Sequence, residues 1–191
     1  KKSKRTTTLL LTQKNHNKIM DKKNLLKLLN DTEENDTGSS EGTRTLLIDG
    51  LNLFFRNFAM MNMVNPSGIH IGGLGGFFRS LGAEIRRTQP DQVYVVFDGA
   101  GSTTNRKNIL SEYKSGREDQ RVTNWEVFDS LDDEHDSKVD QIVRVIHYLK
   151  TLPVKTVILD KVEADDIIAY LCDKLPKHQD DKLFIVSSDK D

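Results

Sequence analysis

The chain has little of several things. It carries one cysteine, four prolines and one tryptophan in 191 residues. A lone thiol, Cys172, cannot close an internal disulfide, which suits a reducing compartment. Its expected role is a small apolar filler on a helix. No apolar run approaches the roughly 20 residues of a membrane span, and the opening KKSKRTTTLLLTQ is too short in its apolar part for a secretory signal. A cytoplasmic location without membrane partners is expected. Net charge is −1, so any basic surface must be local and any acidic site must be offset elsewhere. No Cys/His cluster has zinc-site spacing, and His147 and His178 are expected to be structural or solvated. What is present is ordinary for a globular chain, 36% hydrophobic and 30% charged. The length fits one domain with a sizeable core and some appendage.

Residues 1–44 differ from the rest. They are rich in Lys, Asn, Thr, Asp and Glu and end in the linker-like NDTEENDTGSSEGT. They are expected to form a weakly ordered polar leader. Within it IMDKKNLLKLLN has apolar residues at helical spacing, and a partner-binding helix is the competing reading. The chain begins without Met, and Met20 offers a coding start, which leaves the place of residues 1–19 in the mature product open.

From Thr45 strands and helices alternate. TLLID (45–49), QVYVVFD (92–98) and VKTVILD (154–160) read as strands, and the apolar run that opens KLFIVSSDKD as the tip of another. LNLFFRNFAMM, GGFFRSLGAEIRR, VDQIVRVIHYLK and EADDIIAYLCDKL read as helices. Such alternation predicts an α/β fold, a mainly parallel sheet with helices on both faces, over residues 45–191.

In such sheets ligands bind beyond the carboxyl ends of the strands, and that is where the acids fall. Asp49 ends the first strand and Asp98 the second. Glu163, Asp165 and Asp166 open the helix after the third, with Glu163 and Asp166 sharing a face at i, i+3. Asp189 and Asp191 follow the last strand. Any one of them has a plain structural explanation as a turn former or a helix-dipole partner. Together at one edge they would repel unless cations were bound. Oxygen ligands without thiols or imidazoles suit hard ions, Mg²⁺ or Mn²⁺. A pair of such ions favours displacement at phosphorus, so phosphodiester hydrolysis is expected.

A polyanionic substrate also needs cations. NRKNILSEYKSGR supplies Arg106, Lys107, Lys114 and Arg117 at near-helical spacing, with Tyr113 as a surface for an unpaired base. It follows Asp98 and so should stand over the acids, although a solvated helix face is the plainer reading of such a run. IGGLGGF does not follow a strand, which argues against a dinucleotide fingerprint. Its glycines would serve either close helix packing or close approach of backbone to DNA.

DGLNLFFR (49–56), VVFDG (95–99), RK…EYKSGR (106–117), EADD (163–166) and SSDKD (187–191) resemble, in that order, the flap endonuclease / 5′–3′ exonuclease family, and within it the phage ribonuclease H branch. The resemblance covers most of residues 45–191. It implies a PIN-like nuclease domain with a helical arch and a Mg²⁺-dependent, structure-specific 5′ nuclease that removes RNA primers and 5′ flaps during replication in a bacterium or phage-infected cell. Asp49, Asp98, Glu163, Asp165, Asp166, Asp189 and Asp191 resemble its metal-site acids. Arg56 resembles an arginine that contacts DNA phosphate. Tyr113, Lys114 and Arg117 resemble arch residues, with Lys114 and Arg117 placing and charge-stabilising the scissile phosphate.

The family pattern continues past SSDKD into more sheet, a duplex-gripping helical element and a further aspartate. The expectation is therefore an incomplete polypeptide, completed by its own continuation or by a complementary C-terminal chain. A replication clamp or a single-strand-binding protein would be a further partner. Three rivals stand beside this reading. A PIN-type ribonuclease shares the acids without needing the YKSGR segment. A receiver-like phosphoacceptor expects paired acids after its first strand, where DGLN has one. A silent DNA-binding subunit would use the acids only to hold structural ions.

Overall fold

The computed structural model describes residues 21–27, 42–102, 122–176 and 178–187. Four strands form one sheet: β1 (Arg44–Asp49), β2 (Gln92–Asp98), β3 (Lys155–Leu159) and β4 (Lys182–Val186). Four longer helices join them: α1 (Gly50–Met60), α2 (Gly72–Thr88), α3 (Leu131–Leu149) and α4 (Ala164–Lys174). The strand order is β3-β2-β1-β4 and every pairing is parallel, as the alternation predicts.

The two faces of the sheet follow from the two-residue period of a strand. Leu46 and Ile48 of β1 and Val93, Val95 and Phe97 of β2 point to one side. There they meet Leu53, Phe54 and Phe58 of α1, Phe77 and Leu81 of α2, and Val145 and Leu149 of α3. Leu47, Tyr94, Val96 and Val157 point to the other side, against Ala164, Ile167, Ile168 and Leu171 of α4. Helices thus cover both faces. Phe54, Phe58 and Phe77 are wholly buried, each worth about 1.5–3 kcal/mol relative to exposure.

Residues 22–27 are helical, and Leu25 is buried in the second cluster beside Leu47 and Tyr94. This part of the expected leader is therefore docked on the sheet. A helix too short to persist alone in water is held by the apolar side chain that it buries.

Two local expectations change, and one of two open alternatives is observed. Helix α3 begins at Leu131, eight residues before the apolar periodicity starts. Ser130 caps it, with Oγ accepting from the Asp133 amide at 3.1 Å and donating to Asp133 Oδ2 at 2.7 Å. Asp132, Asp133 and Glu134 occupy its first turn, where the helix dipole favours anions. Glu163 lies outside α4, in extended backbone at the cap position, so it shares no helix face with Asp166. Finally, the IGGLGGF glycines serve helix packing. A Cβ on Gly73 would fall 2.5 Å from the Phe54 ring, and one on Gly76 2.7 Å from Asn57 Cβ. Glycine there lets α2 press against α1.

Candidate metal and nucleic-acid site

The order β3-β2-β1-β4 reverses direction at β1: the chain moves outward from β1 to β3 and returns to β1's other side as β4. The crevice of such a sheet opens at that reversal, beyond the carboxyl ends of the two adjacent strands. Asp49 is the last residue of β1 and stands there. Asp98 ends the neighbouring β2, two registers beyond Asp49's partner Val96.

Each of these aspartates is fixed by a helix N-terminus. Asp49 caps its own helix, with Oδ1 accepting from the Asn52 amide at 3.0 Å. Asp98 reaches across to α4, where its Oδ1 accepts from the Ala164 amide at 2.7 Å. The plain reading of an acid at a strand exit as a cap is thus true of both. It leaves room for more, since an ionised carboxylate offers about four acceptor sites. The positive ends of α1 and α4 both face this edge, which favours anions there.

Backbone hydrogen bonds lace the two acid-bearing loops together. The Gly99 amide donates to Val162 O at 3.0 Å and the Lys161 amide to Ala100 O at 2.9 Å. Glycine is required at 99, because a Cβ would lie 1.7 Å from Leu159 O. Lys161 takes a left-handed conformation, φ 64°, to make this crossing.

The electrostatics show which acids sense one another. The Asp49 carboxyl is pushed above its ordinary value, first by burial and then by the charges of Asp165 and Asp98, against the lowering effect of its bonds to the Asn52 and Leu51 amides. Glu163 is buried, whereas Asp165 and Asp166 are exposed. Among the described residues no three His, Cys, Asp or Glu side chains close into a metal-holding cluster. Asp189 and Asp191 lie outside the described residues, as do Arg106, Lys107, Tyr113, Lys114 and Arg117. Arg56 is exposed on α1, two turns from Asp49. A groove of about 690 Å³ lined by Leu25, Leu26, Ile158, Leu159, Ile167 and Tyr170 reaches Asp166 but neither Asp49 nor Asp98. It belongs to the α4 side of the sheet.

Two buried polar residues of α3 escape sequence reasoning. Glu134 of α3, only 1% exposed, accepts from the amides of Thr123 at 2.6 Å and Asn124 at 3.0 Å. Two turns on, Gln141 accepts from the Leu74 amide and donates to His70 O, both at 3.0 Å. Both side chains are buried on a helix whose apolar stripe, Ile142, Val145, Ile146 and Leu149, is what marks its core face. The S-x-x-D cap at Ser130 is the one local signal that this acidic stretch is helical.

Residues 44–191 match the family model for the N-terminal resolvase-like domain of 5′–3′ exonucleases. The chain belongs to this family. The chain is 32% identical over 155 residues to DNA polymerase I of Lactococcus lactis subsp. cremoris, covering 78% of this chain and 16% of the polymerase. It is 32% identical over 146 residues to a 5′–3′ exonuclease of Aquifex aeolicus, covering 76% of this chain and 45% of the relative. Among solved structures, the flap endonuclease of bacteriophage T5, crystallised with DNA and metal ions, superposes with a TM-score of 0.54 at 21% identity. That alignment covers 77% of this chain and 49% of the phage protein. The chain therefore spans less than half the length of these relatives. No helix among the described residues is long and apolar enough to cross a membrane.

Proposed function

We propose that this domain is the acid-bearing part of a divalent-metal-dependent, structure-specific 5′ nuclease acting during DNA replication in the cytoplasm of a bacterium or phage-infected cell. Its substrates would be 5′ flaps, RNA primers and RNA–DNA hybrids with a free 5′ end, the last two being those of a ribonuclease H-type enzyme. The observation that carries the reading is the placement of Asp49 and Asp98 at the carboxyl ends of adjacent strands, at the edge where the sheet order reverses and beside the N-terminus of α4. Anions collected at two helix N-termini, with oxygen donors only, suit hard cations.

Asp49, Asp98, Glu163, Asp165 and Asp166, joined by Asp189 and Asp191, would hold two Mg²⁺ ions, with Mn²⁺ as a substitute. Such a pair, when bound, would supply Lewis-acid chemistry for phosphodiester hydrolysis. The protein's own share is positional. Asp98 ties β2 to α4, and the Gly99–Val162 lacing keeps the Glu163 loop beside it. Arg56, Arg106, Lys107, Lys114 and Arg117 would neutralise substrate phosphates, with Lys114 and Arg117 nearest the scissile one and Tyr113 stacking on an unpaired base. That the bacteriophage T5 enzyme of like fold was crystallised with DNA and with divalent metal ions supports the choice of ligand classes.

Asp49 and Asp98 are both engaged by helix N-terminal amides, which favours one second reading, a DNA-binding subunit whose acids serve structure and which does not cleave unaided. A 5′-labelled flap substrate separates the two. Cleavage with Mg²⁺, alone or after addition of a complementary C-terminal chain, and its loss in Asp98→Ala, support the nuclease. Binding with Ca²⁺ and no cleavage under any condition supports the silent subunit. Undiminished cleavage by Asp98→Ala would overturn the site assignment.

A further inference from the structure

We propose that Trp125 and the small polar cavity beside it form a subsite for one unpaired nucleobase of the substrate strand. The proposal rests on the nuclease reading above. Among the described residues the two most exposed large apolar side chains are Met60, at 78%, and Trp125, at 75%. Both line one cavity of about 210 Å³, whose other walls include Asn62, Thr123, Asn124 and Glu126. A lone exposed apolar side chain needs no explanation. Two of them around a polar hollow do.

The loop that carries Trp125 is pinned on both sides of it. Asn124 is buried and donates through Nδ2 to Phe58 O at 2.6 Å, while Glu134 Oε2 accepts from its amide and from that of Thr123. On the other side the Phe128 ring stacks on Phe58, centroids 5.8 Å apart and planes within 10°. Between these anchors the Val127 and Phe128 amides both donate to Asn124 O, at 2.9 and 3.0 Å, and close a turn that leaves Trp125 outside. The backbone beneath the indole is thus ordered before a ligand arrives, which lowers the cost of using it as a platform.

The chemistry of the walls selects the ligand. An indole face stacks on any base, since every base has a π-face. Asn62 Nδ2 donates to Glu126 Oε2 at 3.5 Å, a contact weak enough for a ligand to replace. The amide then offers a donor and an acceptor, and the carboxylate accepts from an exocyclic amine such as that of cytosine. The same carboxylate repels phosphate, so the ring enters and the backbone stays outside. The volume is below the roughly 300–1,000 Å³ of drug-sized sites, a fit for a single ring system. Helix α1 carries Met60 about 16 Å from its Asp49 cap. The subsite therefore holds a base away from the acids, and its binding energy positions the strand without entering the chemistry.

The chain has one tryptophan, so its intrinsic fluorescence reports this subsite alone. The probes are a short oligodeoxycytidylate and an abasic strand of equal length, each in Ca²⁺ to prevent cleavage. Saturation with the cytidylate should quench the tryptophan, and the abasic strand should leave it bright. In anisotropy titrations of end-labelled strands, Trp125→Ala should weaken cytidylate binding about 5- to 150-fold and leave abasic binding unchanged, while Trp125→Phe keeps most of the affinity. If Trp125→Ala does not fold, the quench in the unaltered chain decides. Cytidylate binding that leaves the tryptophan unquenched, or that Trp125→Ala weakens no more than abasic binding, overturns the proposal alone. An unaltered chain that binds neither strand overturns both this proposal and the nuclease reading.

Discussion

Replacing Asp49 by Asn should stabilise the metal-free protein while removing its response to metal. Asparagine caps a helix about as well as aspartate, so the bond from the Asn52 amide survives. What disappears is a charge held in a buried place and facing Asp165 and Asp98. A carboxyl whose folded value is raised costs stability once ionised. That cost fades as pH falls through the raised value toward the ordinary 3.8. Metal-free Asp49→Asn should therefore melt above the wild type at neutral pH, and the gap should close on acidification. Asp49→Ala loses the cap as well, at about 1 kcal/mol, and should melt about 2–4 °C below Asp49→Asn. Mg²⁺ at a hundred times its dissociation constant stabilises by about 2.7 kcal/mol, which raises a wild-type melting temperature by about 5–10 °C. Differential scanning fluorimetry with and without Mg²⁺ reads all three effects. A full Mg²⁺ shift in Asp49→Asn would refute Asp49 as a metal-site acid, and a metal-free Asp49→Asn less stable than wild type would refute the electrostatic reasoning.

At the opposite end of the sheet, burial pushes the Lys155 ammonium down to about 8 from 10.5, beside Gln92 Oε1 at 2.7 Å and Tyr94 OH at 3.0 Å. The unfolded chain binds the extra proton between those values, so stability should rise with pH from about 8 to 10.5. Lys155→Met should abolish that rise and gain about 1–3 kcal/mol at pH 7; urea midpoints across pH check it, and an unchanged profile would count against the burial of this amine. Gly99→Ala should unfold the protein or displace the Glu163 loop, since its methyl would meet Leu159 O. A Gly99→Ala protein with wild-type melting temperature and cleavage would contradict the lacing. Gln141→Leu strands the Leu74 amide and His70 carbonyl and should cost about 1–3 kcal/mol for each group left unpaired, measured by chemical denaturation.

Much of the fold is legible along the chain because periodicity is local. The run QVYVVFD alternates between two buried faces, and its span as a strand coincides with β2. Asp49 and Asp98 stand at strand ends where the pattern predicts them. The N-terminus of α3 is hidden because DDEHDSK has no apolar stripe, and only the Ser130 cap marks it. Glu163 reads as helical because an acid suits a first turn as well as a cap.

The sequence by itself determined the element types, the two-faced strands and the acids at their carboxyl ends, since each depends on neighbours a few residues apart. Only the tertiary structure decided which acids share a neighbourhood. The bond from Ala164 to Asp98 spans 66 residues and that from Gln141 to His70 spans 71, and no local pattern encodes either. Strand order is set by the packing of whole helices on the sheet. That packing brings β1 between β2 and β4, and so places Asp49 at the reversal.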